Sequence, residues 1–217
     1  LVFLVALYFL LRLPNLTLQP IFADEAIYIR WAQVMRAEPT LRFLPLSDGK
    51  TPLFMWVMMP LFKVFEDPLF AGRFLSVMSG LATLIGVLAL GWRVFGIKAA
   101  FWASSIYVIV PYTLFFDRMA LVDSMLSAFT IWALYFTLWL AKAPRLDLAM
   151  ILGLLLGGAW LTKTPAVINL FLLPVSLLAF KKLKEDQYRL VKLFLFWGVV
   201  IIIAVSMYNG LRLGPNF

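Results

Sequence analysis

The chain of 217 residues has no cysteine and no histidine. The first absence removes disulfides and thiolate chemistry. The second removes imidazole, so proton transfer or ligation within this chain falls to Asp, Glu, Lys, Tyr or backbone groups. Charge is scarce as well: 14% of residues are charged, against about one quarter in a soluble domain. Acids are the scarcer sign, 11 Asp and Glu against 19 Lys and Arg, for a net charge of +8. We find no internal repeat and no low-complexity tract.

What fills the chain is apolar. Hydrophobic residues make up 64% and mean hydropathy is +0.96, which points to an all-α, polytopic transmembrane protein. The basic excess, which in a soluble protein would suggest nucleic acid, sits in short loops between apolar runs and reads as a topology signal, with no nucleic-acid partner. The opening run LVFLVALYFLLRL has no small-residue cleavage site after it and reads as a clipped first transmembrane helix rather than a secretory signal. With Leu1 in place of an initiating Met, we expect an N-terminal fragment of a longer chain, with 1–217 as a single transmembrane domain.

A helix needs about 20 mostly apolar residues to cross the hydrocarbon core. Seven segments are candidates: 1–13, 69–92, 99–116, 122–141, 148–161, 165–180 and 191–208. Segment 52–65, PLFMWVMMPLFKVF, is short, carries Pro60 inside and ends near Lys63, so we expect it to be interfacial or re-entrant. On that parity the basic loops 93–98, 142–147 and 181–192 share the cytoplasmic face. Segments 14–68, 117–121, 162–164 and 209–217 then share the other, with 14–68 as a first extracytoplasmic loop. Within it, DEAIYIRWAQVMR places Ile27, Trp31 and Val34 at helical spacing, as in an amphipathic helix lying on the membrane surface.

Ionisable residues near the membrane are costly and need a reason. Four groups stand out. Asp24 and Glu25, in FADEA, fit either an N-cap with a first-turn acid or a general base. Asp48-Gly49-Lys50-Thr51-Pro52 fits either a turn with a snorkelling lysine or a lysine facing an anionic headgroup. Asp117-Arg118 through Asp123 fits either an interfacial ion pair or an arginine fork for phosphate, with Asp123 capping a helix or holding a cation or hydroxyl. Lys163, in Thr162-Lys163-Thr164-Pro165, is either a snorkelling side chain or an anion binder. All four groups open to one face on this topology. A mixture of bases and anion binders there suits a reaction in which a hydroxyl is deprotonated and a phosphate departs.

FADEA, DGKTPLFMW, RMALVD and LTKTP, in this order, resemble membrane glycosyltransferases that use polyprenyl-phosphate sugars, among them protein O-mannosyltransferases and the bacterial transferase that adds aminoarabinose to lipid A. The resemblance implies a catalytic base at Asp24 and matches Lys50, Asp123 and Lys163 to family positions. The aminoarabinose branch carries an acid where this chain has Gly49 and an arginine where it has Ile27, so that branch's sugar and metal site are not carried over.

The expected reaction is inverting transfer of a sugar from a polyprenyl phosphate to an acceptor hydroxyl on a lipid, glycan or protein, at the extracytoplasmic face of the plasma (inner) membrane. Asp24, with Glu25, supplies the catalytic carboxylates. Lys50, Arg118 and Lys163 hold the donor phosphate, and Asp48, Asp117 and Asp123 bind substrate or a divalent cation. A hard cation on oxygen ligands suits this histidine-free chain better than a closed zinc site. The alternative is a transporter or flippase for a lipid-linked or anionic substrate, since intramembrane charges also mark transport pathways.

Overall fold

The computed structural model describes residues 2–179 and 187–212, and every regular element among them is helical. The chain forms two compact units, Leu1–Ala128 and Phe129–Phe217.

The first unit contains α1 (Val2–Arg12), α2 (Ala23–Ala37), the short α3 (Leu53–Met58), α4 (Pro68–Phe95), α5 (Ile97–Ile109) and α6 (Pro111–Asp117). Helix α7 (Val122–Lys142) begins in this unit and ends in the next. Helix α4 is its longest element, 28 residues or about 42 Å. Asp67 caps its start by accepting from the Leu69 amide at 2.9 Å, and Pro68 follows at the first helical position. Gly96, at φ +92, ends it in a backbone conformation that side chains resist.

Helix α5 folds back along α4, and the approach is close because Gly91 has no side chain: a Cβ there would lie 2.9 Å from the Ala100 Cα. The run 99–116, expected as one span, is a bent pair. Helices α5 and α6 meet at 64° across Val110, because Pro111 cannot donate to the carbonyl of Tyr107 and holds Val110 extended. Segment 52–65 is six residues of α-helix followed by a five-residue 3-10 turn, Met59–Lys63, containing Pro60. That is under about 20 Å of rise, against about 30 Å of hydrocarbon.

The second unit holds the rest of α7 with α8 (Leu146–Thr162), a 3-10 stretch Thr164–Phe171, α9 (Leu172–Ala179) and α10 (Gln187–Arg212). Helices α8 and α10 pack through small residues: a Cβ on Gly153 or Gly157 would press on Ile203 or Met207 at 2.8 Å. Leu140, Leu148, Leu152, Leu193 and Val200 form the core between the helices.

Seven spans are expected from the sequence. Among the described residues three helices, α4, α7 and the stretch from Gln187 to Gly210, are long and apolar enough to cross a membrane, and the α5–α6 pair makes a fourth if counted as one span. Helices α1 and α8 are apolar but shorter, and 165–180 divides into a 3-10 stretch and an eight-residue helix. The basic residues at 181–186 and the segment 213–217 lie outside the described residues.

Candidate active site

FADEA opens α2. Phe22, extended at φ −82 and ψ 152, is the N-cap, and the residue that serves it is Glu25, whose Oε2 accepts from the Phe22 amide at 3.0 Å. This is the reciprocal half of a capping box. Glu25 does more than cap. Arg73, one and a half turns into α4, donates Nε to Glu25 Oε1 at 2.9 Å and Nη2 to Oε2 at 2.8 Å, and both side chains are fully buried. The Ala120 amide donates to Oε1 at 2.6 Å. Arg73 spends its remaining protons on the carbonyls of Leu16, Gln19 and Pro20. Burial pushes the Glu25 carboxyl up, but the hydrogen bonds from Arg73, Ala120 and Phe22 outweigh it and hold the group below the usual carboxylate range. Glu25 thereby ties α2, α4 and the loop before α7 into one body. Both oxygens of this expected catalytic carboxylate are committed to Arg73, Ala120 and Phe22.

Asp117 and Arg118 are also committed. Asp117 is buried against α1, where Arg12 donates Nε to its Oδ2 at 2.8 Å, Ser124 donates to Oδ1 at 2.9 Å, and Tyr8 and Tyr107 add their hydroxyls. Arg12 also donates to the Val108 and Tyr107 carbonyls, and Thr113 donates to Tyr107. The carbonyls at the backbone break before Pro111 are satisfied in this way by side chains. Arg118 donates to the Leu11, Arg12, Pro14 and Asn15 carbonyls, all at 3.1 Å, capping α1 and bracing the left-handed turn at Asn15. Both Nη groups of Arg118, expected as a phosphate fork, donate to backbone carbonyls here. Asp117, expected to bind substrate or a cation, has both oxygens occupied by Arg12, Ser124, Tyr8 and Tyr107.

What remains open gathers around Tyr28, one turn after Asp24 on α2. Burial first, then the nearby carboxylates of Asp24, Asp123 and Asp48, push the Tyr28 hydroxyl up to about 12. It is therefore a neutral donor at neutral pH, with three acids in electrostatic reach. Lys50 stands over the same ring at 5.2 Å and over Trp31 at 5.4 Å, and its Nζ is 3.4 Å from Asp48 Oδ2. Gly49, at φ +68, turns the chain so that Lys50 follows Asp48 back toward α2. Phe54 of α3 supports Tyr28 edge-on at 6.3 Å. Asp24 is half-buried and, among the described residues, has no hydrogen-bond or ion-pair partner. Its expected alternative role as the N-cap is taken by Phe22, with Glu25 as the capping side chain.

Asp24, Asp48 and Asp123 thus lie within electrostatic reach of Tyr28, and Lys50 stands over Tyr28 and Trp31. Lys163 belongs to the second unit, where it ends α8. No three acids among the described residues are placed to hold a metal ion, so no group is assigned to the expected cation. Sequence reasoning passed over Tyr28, Arg73 and Arg12. The signal for the arginines was present: a charge inside an apolar run requires a partner, and neither had one nearby in sequence.

Residues 49–208 match the family model described as dolichyl-phosphate-mannose-protein mannosyltransferase. The chain belongs to that family. No curated protein and no solved structure matches it. As a member of the mannosyltransferase family it is a membrane glycosyltransferase of the mannosyltransferase type, working with a lipid-linked sugar donor and an acceptor. The family match covers Lys50, Asp123 and Lys163 and begins after Asp24 and Asp48.

Proposed function

We propose that this mannosyltransferase moves a mannose-type sugar from a polyprenyl phosphate to an acceptor hydroxyl, with Asp24 as general base, at the extracytoplasmic face of the plasma membrane. The observation that carries the proposal is the division of labour in FADEA: Glu25 is saturated, while Asp24 is unpartnered and faces the cluster around Tyr28.

Asp24 takes the proton of the acceptor hydroxyl as its oxygen bonds to the anomeric carbon. The bond from that carbon to the phosphate oxygen breaks, and the electron pair leaves with the polyprenyl phosphate. One displacement inverts the anomeric centre. Lys50 meets the growing charge on the leaving phosphate, with its ammonium already held over two aromatic rings so that little freedom is lost on binding. Tyr28, protonated at neutral pH, donates to a phosphate or sugar oxygen. Asp123 and Asp48 accept from sugar hydroxyls.

Asp24→Asn keeps the shape and removes the base, so transfer in the intact protein falls by at least about 100-fold with donor affinity retained. Lys50→Ala weakens donor binding and slows turnover together. Donor affinity and turnover measured on both variants separate the roles, and a fully active Asp24→Asn enzyme would sink the assignment.

A further inference from the structure

We infer that the second unit carries a binding site for the phosphate headgroup of an anionic phospholipid, separate from the cluster around Tyr28. A cavity of about 340 Å³ lies where α7 ends, α8 begins and α10 begins, and is lined by Ala143, Pro144, Arg145, Tyr188, Arg189 and Lys192. Its size falls within the range of small-ligand sites. Three of those six residues are cationic and none is acidic.

The position is one where a headgroup would lie. Helices α7 and α10 are both long and apolar enough to cross a bilayer, so their shared end marks the level at which they leave the hydrocarbon. Tyr188 is 79% exposed there, as an interfacial aromatic is. One to two turns further into α10, Val191, Phe194 and Leu195 are exposed and apolar, a surface for acyl chains continuous with the basic rim. Cations above an apolar face fit an amphiphile with a phosphate at its head, and basic pockets between membrane helices hold such headgroups.

The cavity is also built. Arg189 Nη2 donates to the Lys142 carbonyl at 2.7 Å, which both fixes the guanidinium and neutralises the negative C-terminal end of α7. Arg145 is held bidentate by Asp147 at 3.0 and 2.7 Å. Lys192, exposed and 5.8 Å from the Phe196 ring, is the cation best placed to follow a ligand.

The test uses the intact protein, delipidated in neutral detergent and titrated with phosphatidylglycerol or phosphatidylcholine in mixed micelles, with binding read by native mass spectrometry and melting temperature. The expected result is retention of phosphatidylglycerol at least about tenfold over phosphatidylcholine. Lys192→Gln should weaken it about fivefold, Lys192→Arg should preserve it, and Lys98→Gln, the same charge loss in the first turn of α5, should leave it unchanged. Equal binding of the two lipids, or equal loss in Lys98→Gln, overturns the site. Inorganic phosphate binding as tightly as phosphatidylglycerol would show a bare anion site and overturn the lipid assignment.

Discussion

Glu25 accepts hydrogen bonds on both oxygens while Asp24 accepts none from the described residues, and helical geometry accounts for the difference. Successive side chains on a helix point about 100° apart, so the turn that aims Glu25 at α4 aims Asp24 away from it. The buried pair makes a pH prediction. A carboxyl held below its ordinary range in the fold contributes stability that is fully present above the unfolded value and is lost as pH falls through the folded one. The melting temperatures of the native chain and Glu25→Gln should therefore differ most at neutral pH and converge in acid, and a difference constant with pH would oppose the assignment. At pH 7, Arg73→Ala should cost about 3–5 kcal/mol by leaving Glu25 buried and uncompensated. FADEA does not reveal which of its two acids is buried and which is open, because Glu25's partners, Arg73 and Ala120, lie 48 and 95 residues away.

Within the first unit, helix α4 is the element against which the others are set, and its small residues decide how closely they come. A Cβ on Gly80 would collide with the Tyr8 hydroxyl and the Asp117 carboxylate, the two groups that close the polar knot on Arg12. Gly80→Ala should therefore destabilise by about 1–3 kcal/mol despite the better helix former. Gly198→Ala in α10, where nothing lies within 4 Å, should be neutral or stabilising by up to about 1 kcal/mol. Thermal melting of the two variants side by side checks the contrast. The helices themselves were legible: apolar length located α4, α7 and α10 closely, and Pro60 marked where segment 52–65 changes from a short α-helix to a 3-10 turn. The bend at Pro111 was missed because an unbroken apolar run hides it. The proline that causes it is compensated by Arg12, a residue distant in sequence.

For the molecule as a membrane protein, the same lengths fix what α4 and the segment before it can do. Helix α4 rises about 42 Å, enough to cross about 30 Å of hydrocarbon with a turn to spare at each end. It starts at the capped Asp67 and ends among Arg93, Gly96 and Lys98. The stretch from Leu53 to Lys63 covers under about 20 Å and cannot cross. Asp48, before that stretch, and Val64, 72% exposed after it, should therefore face the same side, and Lys98 the opposite one. The natural absence of cysteine makes the measurement direct: single cysteines at Asp48, Val64 and Lys98 are reacted with an impermeant thiol reagent in sealed vesicles of known orientation. Asp48 and Val64 should label together from the extracytoplasmic side, and Lys98 only after the vesicles are opened. If Val64 labelled with Lys98 instead, the short segment would have to span. Asp48 and Lys50 would then be parted from the start of α4, and with it from Arg73, which ties α4 to Glu25 beside Asp24. The single cluster around Tyr28, and the phosphate role given to Lys50, would both be lost.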